Sequence, residues 1–253
     1  MRTALCRFFV PAALSLAPVF ASADSLLSVD INSDSVHPGT FSPTQAGFSA
    51  FNIPAAAGGS MISASYATDP LLTSGTTTVG IVEPGSAGVR SRDTGPLANT
   101  GAFTFGDLYR DYTFGQGGGG VLDINLSGLN PSRTYSVTFF AYAPDDTMGT
   151  TETFRNITPG LQPSPTSGAD TYFGGDITSN YQHTVTLDGT ADGGGNLNFV
   201  ETGVEVGGPP DAGVLNGLQL AAAAPLPSSV WAGLALLGGL GLLTVRRRFQ
   251  ASK

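Results

Sequence analysis

Between residues 24 and 224 the chain seldom keeps one polarity for long: short runs alternate apolar with polar residues, and clusters of Gly, Pro, Asn, Asp and Ser separate them. Successive side chains of a strand point to opposite faces, so this period of two means strands with one face in a core and one in water. In 121–127, Leu122, Ile124 and Leu126 point one way and Asp123, Asn125 and Ser127 the other. Residues 133–142 place Tyr135, Val137, Phe139 and Ala141 on a core face, and 181–187 bury Val185 and Leu187. Further strands are predicted over 26–32, 47–53, 60–66, 76–82, 102–105, 197–201 and 214–220. Residues 107–114 mix periods and read as a helical turn, capped by Asp107, that leads into a strand. No convincing amphipathic helix and no internal repeat interrupts the pattern. About ten strands in one domain, residues 24–220, predict an all-β fold: an antiparallel two-sheet β-sandwich.

The two ends stand apart from this domain. Arg2 and Arg7 precede an apolar run over 8–20, and Ala21-Ser22-Ala23 follows with the small-x-small pattern of a signal-peptidase site, so residues 1–23 read as a signal peptide cut after Ala23. The run is too short to cross a hydrocarbon core, which needs about 20 residues. The sole cysteine, Cys6, leaves with it, so the mature chain has no disulfide, thiol nucleophile or thiolate metal site. A core of this size needs no such staple.

At the other end, residues 230–245 carry no charge and Arg246, Arg247 and Arg248 follow at once. A helix of that length rises about 24 Å against a core of about 30 Å, so it spans only with snorkelling arginines or a locally thinned bilayer. The arginines stay in the cytoplasm and leave everything before the single transmembrane helix outside the inner membrane. The alternative is a buried core helix with Gly233, Gly238, Gly239 and Gly241 at the end of a β-rich chain. Residues 221–229 form the linker and 246–253 a basic tail.

That linker holds Pro225-Leu226-Pro227. A proline-containing tripeptide, a short span rich in Trp, Leu, Gly and Ala from Trp231 to Leu243, and the cluster Arg246 to Arg248 together resemble the PEP-CTERM sorting signal of Gram-negative bacteria. The resemblance implies a partner, an exosortase-type membrane processing enzyme, and a route from the inner membrane to the cell surface or medium. Leu226 stands where the family signal has glutamate, while both prolines that keep the stretch extended are present.

A second resemblance covers the domain. Residues 107–114, then 124–131 with Ser127-Gly128-Leu129-Asn130-Pro131, then 135–142, and finally Leu215-Asn216-Gly217-Leu218-Gln219-Leu220, are similar to jelly-roll modules of the galactose-binding-like kind. The likeness implies carbohydrate binding and, in some members, a structural calcium.

Charge sorts by compartment. Residues 24–211 hold all 19 acidic residues against five arginines (90, 92, 110, 133 and 155) and no lysine, a formal charge of −14. Such a surface repels phosphate backbones and anionic lipid, which excludes nucleic acid as a natural partner.

Enzymatic signatures are absent. His37 and His183 are far apart with no zinc spacing, no serine stands in a GxSxG string, and the GxGxxG string at Gly115, Gly117 and Gly120 runs into a strand where a phosphate site needs a helix. The many carboxylates leave a glycoside hydrolase open as an alternative, because its acid and nucleophile are matched by distance in the fold. The arginines say more. Arg90, Arg92, Asp93, Arg110 and Asp111 form two acid-base clusters, readable as ion pairs that fasten loops or as a sugar- or carboxylate-binding site. Phe140 and Tyr142 alternate with the buried set of their strand, so either could present a ring to a sugar or pack under a loop. Asp188, Asp192 and Asn196 in a glycine-rich loop, and Asp145 with Asp146 in a turn, are oxygen-only candidates for calcium, the one cofactor the chain suggests. Together these features predict a non-catalytic protein associated with extracellular polysaccharide or matrix. A structural surface protein without a specific ligand is the second reading.

Overall fold

A computed structural model describes residues 25–223 except 56–60, 85–88, 116–120, 147–148, 160–166, 176, 207–209 and 212. The described residues are all-β and fall into three sheets. The first runs β11 (Thr184–Thr190), β8 (Thr134–Phe140), β15 (Gly217–Ala222), β1 (Ser25–Ser33) and β2 (Ser49–Ile53). The second runs β10 (Ser167–Tyr172), β9 (Thr150–Asn156), β12 (Leu197–Glu205), β7 (Val121–Leu129), β4 (Thr73–Val82) and β3 (Met61–Ala67), with β13 (Pro210–Asp211) also paired to β12. A small third sheet joins β14 (Val214–Leu215), β6 (Asp111–Gly115) and β5 (Val89–Asp93). The two large sheets pack as a sandwich. Among the described residues every ladder is antiparallel but one, since β1 and β2 run parallel.

The alternation read along β7 and β8 is what builds the core. Leu122, Ile124 and Leu126 are fully buried from one sheet, and Tyr135, Val137 and Phe139 meet them from the other. The ring of Phe139 stacks on Phe154 at 4.5 Å between centroids and meets Phe199 edge-on at 5.0 Å, which locks the sheets face to face.

A second apolar cluster lies beside the first and changes the reading of β8. Phe140 and Tyr142 are both fully buried there with Phe103, Leu108, Tyr109 and Tyr172. The chain between β5 and β6 covers the face of the first sheet that a simple sandwich leaves to water, so neither ring is offered to solvent.

Several sequence-derived boundaries change. Residues 102–105 form no strand; Phe103 makes only an isolated bridge with Thr100, because it is drawn into the second cluster. The strand expected over 181–187 starts at Thr184. The strand expected over 214–220 breaks at Asn216, whose side chain takes over the local pairing: its Oδ1 accepts from the Tyr142 N–H at 2.6 Å, and its Nδ2 donates to the carbonyls of Asp111 and Tyr142. Residues 107–110 make a turn, closed by the Tyr109 and Arg110 N–H groups on the carbonyls of Phe105 and Asp107, before β6 begins. The strands on either side of residues 116–120, β6 and β7, belong to different sheets. Among the described residues no helix is long and apolar enough to cross a membrane; the span expected at 230–245 lies outside them.

Candidate functional site

The ladder between β5 and β6 places the charged groups. Arg90 faces Phe114 and Arg92 faces Tyr112 across it, while Val89, Ser91 and Asp93 face Gly115, Thr113 and Asp111. Period two therefore sets two arginines and two aromatic rings on one face and buries the other.

Arg92, Tyr112 and Phe114 form one wall of a cleft of about 260 Å³. Ala143, Asp145, Asp146, Thr150, Tyr172 and Val214 complete its lining. At the mouth, Arg92 Nη1 lies 2.7 Å from Asp145 Oδ2, with side chains 57% and 35% exposed. The Tyr112 hydroxyl donates to Asp145 Oδ1 at 3.1 Å and accepts from Arg92 Nη1 at 3.4 Å. Burial, with Asp145 beside it, pushes the Tyr112 phenol up to about 12. Tyr112 is thus a neutral donor at any ordinary pH.

Tyr172 leads to two buried acids. The Tyr172 hydroxyl donates to Glu152 Oε1 at 3.2 Å. Glu201, from the neighbouring strand, is fully buried, and burial together with the facing Glu152 carboxyl pushes it well above the usual carboxylate range. Gly213 makes room for it, since a Cβ at that position would stand 2.3 Å from Glu201 Oε1. Tyr172 also packs edge-on against Tyr142, which stacks on His183 at 5.0 Å; His183 Nδ1 sits 2.9 Å from Asp170 Oδ2.

Of the residues singled out from sequence, only Arg92 lines the cleft, together with Asp145 and Asp146 of the turn read as a calcium candidate. Arg90 is exposed on the same face of β5. Arg110 is engaged elsewhere: its Nε and Nη2 each donate at 2.7 Å to the two oxygens of Asp93. Burial pushes Asp93 up, but the bonds from Arg110 and the Gly95 N–H outweigh it and hold the carboxyl below its ordinary range. Asp111 is on the buried face, where it accepts from the Ser42 hydroxyl and is pushed up to about 7 by burial. Tyr142 is a core residue whose hydroxyl accepts from the Gly175 N–H at 2.6 Å.

The glycine-rich loop brings Asp192 and Asn196 together, with Asp192 Oδ1 accepting from the N–H groups of Gly194 and Asn196 at 2.8 Å. Bonds from the Asn196 backbone and side chain hold Asp192 below its usual range. Asp188 is separate, in β11 opposite Ser136. Among the described residues no three His, Cys, Asp or Glu side chains are grouped to hold a metal ion. Ala21, Ala23, Pro225, Leu226, Pro227 and Arg246 to Arg248 lie outside the described residues. Tyr112 and Tyr172 were missed as site residues. The alternation of Tyr112 with Phe114 was the available signal for the first; Tyr172 ends a strand with almost no apolar pattern.

No protein-family model and no curated protein matches the chain. Among solved structures it is similar to the plant receptor-like kinase ANX1, with TM-score 0.34 and 14% identity over 53% of this chain and 39% of that one. It is also similar to the enzymatically active domain of bacteriophage CBA120 tailspike protein 4, with TM-score 0.21 and 11% identity over 64% of this chain and 18% of that one. A third similarity is to isomalto-dextranase of Arthrobacter globiformis T6 complexed with panose, with TM-score 0.23 and 17% identity over 58% of this chain and 25% of that one. The chain spans less than half the length of each, and no function is assigned from them.

Proposed function

We propose that this chain is an exported, envelope-anchored surface protein, processed by an exosortase-type enzyme, whose β-sandwich is a non-catalytic glycan-associated module of jelly-roll, galactose-binding-like kind. The cleft carries the glycan reading. Sugars offer apolar C–H faces and a fringe of hydroxyls, and the cleft offers the half-buried ring of Phe114 beside the polar groups of Arg92, Asp145 and the Tyr112 hydroxyl. Its carboxylates argue for binding over hydrolysis: Asp145 is tied to Arg92 and Tyr112, and Glu152 and Glu201 are buried behind Tyr172, out of reach of a glycosidic bond. Export and anchoring rest on the signal peptide ending at Ala23, the tripeptide Pro225-Leu226-Pro227 and the arginines after residue 245.

The test is affinity electrophoresis of the full-length protein through gels containing its host's extracellular polysaccharide. Retardation supports the reading, and migration equal to that in an empty gel contradicts it. For the sorting half, intact mass and cell fractionation are compared between the wild type and a variant with Pro225 and Pro227 changed to Ala. The proposal expects loss of the tail and release in the wild type only; two forms that keep the tail and fractionate alike contradict it.

A further inference from the structure

Among the described residues four strands end the two large sheets, and three of them are guarded. β10 carries Asp170 and β11 carries Asp188, charges that oppose the pairing of a further strand. β2 is crossed by Tyr66, whose hydroxyl donates to the Ala50 carbonyl at 2.9 Å. The fourth, β3, reads Met-Ile-Ser-Ala-Ser-Tyr-Ala over 61–67, with no charge, no proline and no bulge, and it pairs on one side only, with β4.

The register with β4 decides which backbone groups of β3 are left over. The Thr68 N–H donates to the Gly75 carbonyl at 3.1 Å, and these two residues continue the register that sets Ala67 against Thr76. Hydrogen-bonded pairs alternate in an antiparallel ladder, so Ile62, Ala64 and Tyr66 direct their backbone groups to β4, while Met61, Ser63, Ser65 and Ala67 turn theirs outward. The strand is also nearly a palindrome about Ala64: serines flank it, then Ile62 and Tyr66, then Met61 and Ala67. Ile62, Ala64 and Tyr66 pack against the main core from the margin of the sheet and stay half-exposed. No charged residue occurs from 38 to 68, although the domain carries −14.

We infer that β3 is a self-association edge, which pairs antiparallel with β3 of a second copy of this chain about a two-fold axis at Ala64. In that register Met61 of each copy faces Ala67 of the other and Ser63 faces Ser65, closing about eight backbone hydrogen bonds. Ile62 meets Tyr66 on the core side, and the second sheet runs on through both copies. A strand of another sequence finds the same hydrogen bonds without this pairing of like with like. Two domains of the same charge repel, so the contact is weak and tightens with salt. It rests on β3 and not on the cleft.

Sedimentation of the detergent-solubilised full-length protein at about 50 mM and about 500 mM salt tests this. A monomer–dimer equilibrium is expected with a dissociation constant on the order of 100 µM, tightening several-fold at the higher salt. Ser63→Pro removes one outward N–H without touching the β4 ladder and is expected to weaken the dimer at least about tenfold, its fold checked by thermal unfolding. Ala64→Cys reads the register, because the central pair brings two Cα atoms to about 4.5 Å, within reach of a disulfide. In chains whose Cys6 is changed to Ser, oxidation is expected to link Ala64→Cys copies into dimers and to leave Ser167→Cys copies, altered on the edge of β10, unlinked. A wild type that stays monomeric up to about 1 mM at both salts overturns the inference. A dimer undiminished in a folded Ser63→Pro variant, or equal cross-linking of the two cysteine variants, places the association elsewhere in the chain and also overturns it.

Discussion

Two arginines, one in β5 and one in the turn before β6, show how much a residue's partners decide. Arg110 holds Asp93 with two parallel hydrogen bonds in a site where Asp93 is 4% exposed. Arg92 holds Asp145 with one ion pair at an open cleft. Removing the first strands a nearly buried carboxylate, so Arg110→Ala is expected to cost roughly 2–3 kcal/mol in urea unfolding. An exposed pair contributes little, so Arg92→Ala is expected to cost under about 1 kcal/mol while weakening any ligand in the cleft. Gly213 is a third case. A methyl there meets the Glu201 carboxyl, and Gly213→Ala is expected to destabilise by roughly 1–3 kcal/mol, checked by the same unfolding measurement.

At the scale of elements, the strands most legible in the sequence are those whose inward positions are mostly large and apolar. β7 presents Leu122, Ile124 and Leu126, and the period of two names its buried face without help. β9 hid because its inward positions include Thr150 and Glu152, which read as polar though they are buried. β5 hid because Arg90 and Arg92 looked like a charge cluster, and β10 because Ser167–Tyr172 holds one large apolar side chain. The cleft is built from these hidden strands and their neighbours, so its members were visible singly while their convergence was not. The parallel pairing of β1 with β2 and the burial of Phe140 and Tyr142 on the outer side of β8 depend on chain crossings that local alternation does not encode. Asn216 is the element-scale joint: its amide bridges β6 and the end of β8 through three hydrogen bonds in a fully buried site. Asn216→Ala is expected to cost roughly 3 kcal/mol or more, with loss of tyrosine near-ultraviolet dichroism as the cluster around Tyr142 loosens.

Over the whole molecule, acidity and burial combine to set a pH response. Burial pushes Asp30 up to about 8 and Asp111 to about 7, from an ordinary 3.8, and the Asp111 charge adds to the rise of Asp30. Between pH 4 and pH 8 the folded chain therefore keeps protons that the unfolded chain has released, and the free energy of unfolding falls as pH rises through that window. Asp34, Asp93 and Asp192, held low by hydrogen bonds, act in the opposite sense and weaken the fold only as pH falls below the ordinary carboxylate range. Maximum stability is expected near pH 4–5, with a loss of roughly a few kcal/mol by pH 8 in urea unfolding followed across pH. A flat profile from pH 5 to pH 8 contradicts this placement of the two buried aspartates.

The Arg92–Tyr112–Asp145 cleft is the proposed point of contact with glycan. Its most direct test is binding of the host's extracellular polysaccharide to Arg92→Ala and Arg110→Ala side by side, with folding of both confirmed by circular dichroism. The expected result is weakened binding in Arg92→Ala and wild-type binding in Arg110→Ala despite its lower stability. Wild-type binding in both variants, or an equal loss in both, would contradict the assignment of the cleft.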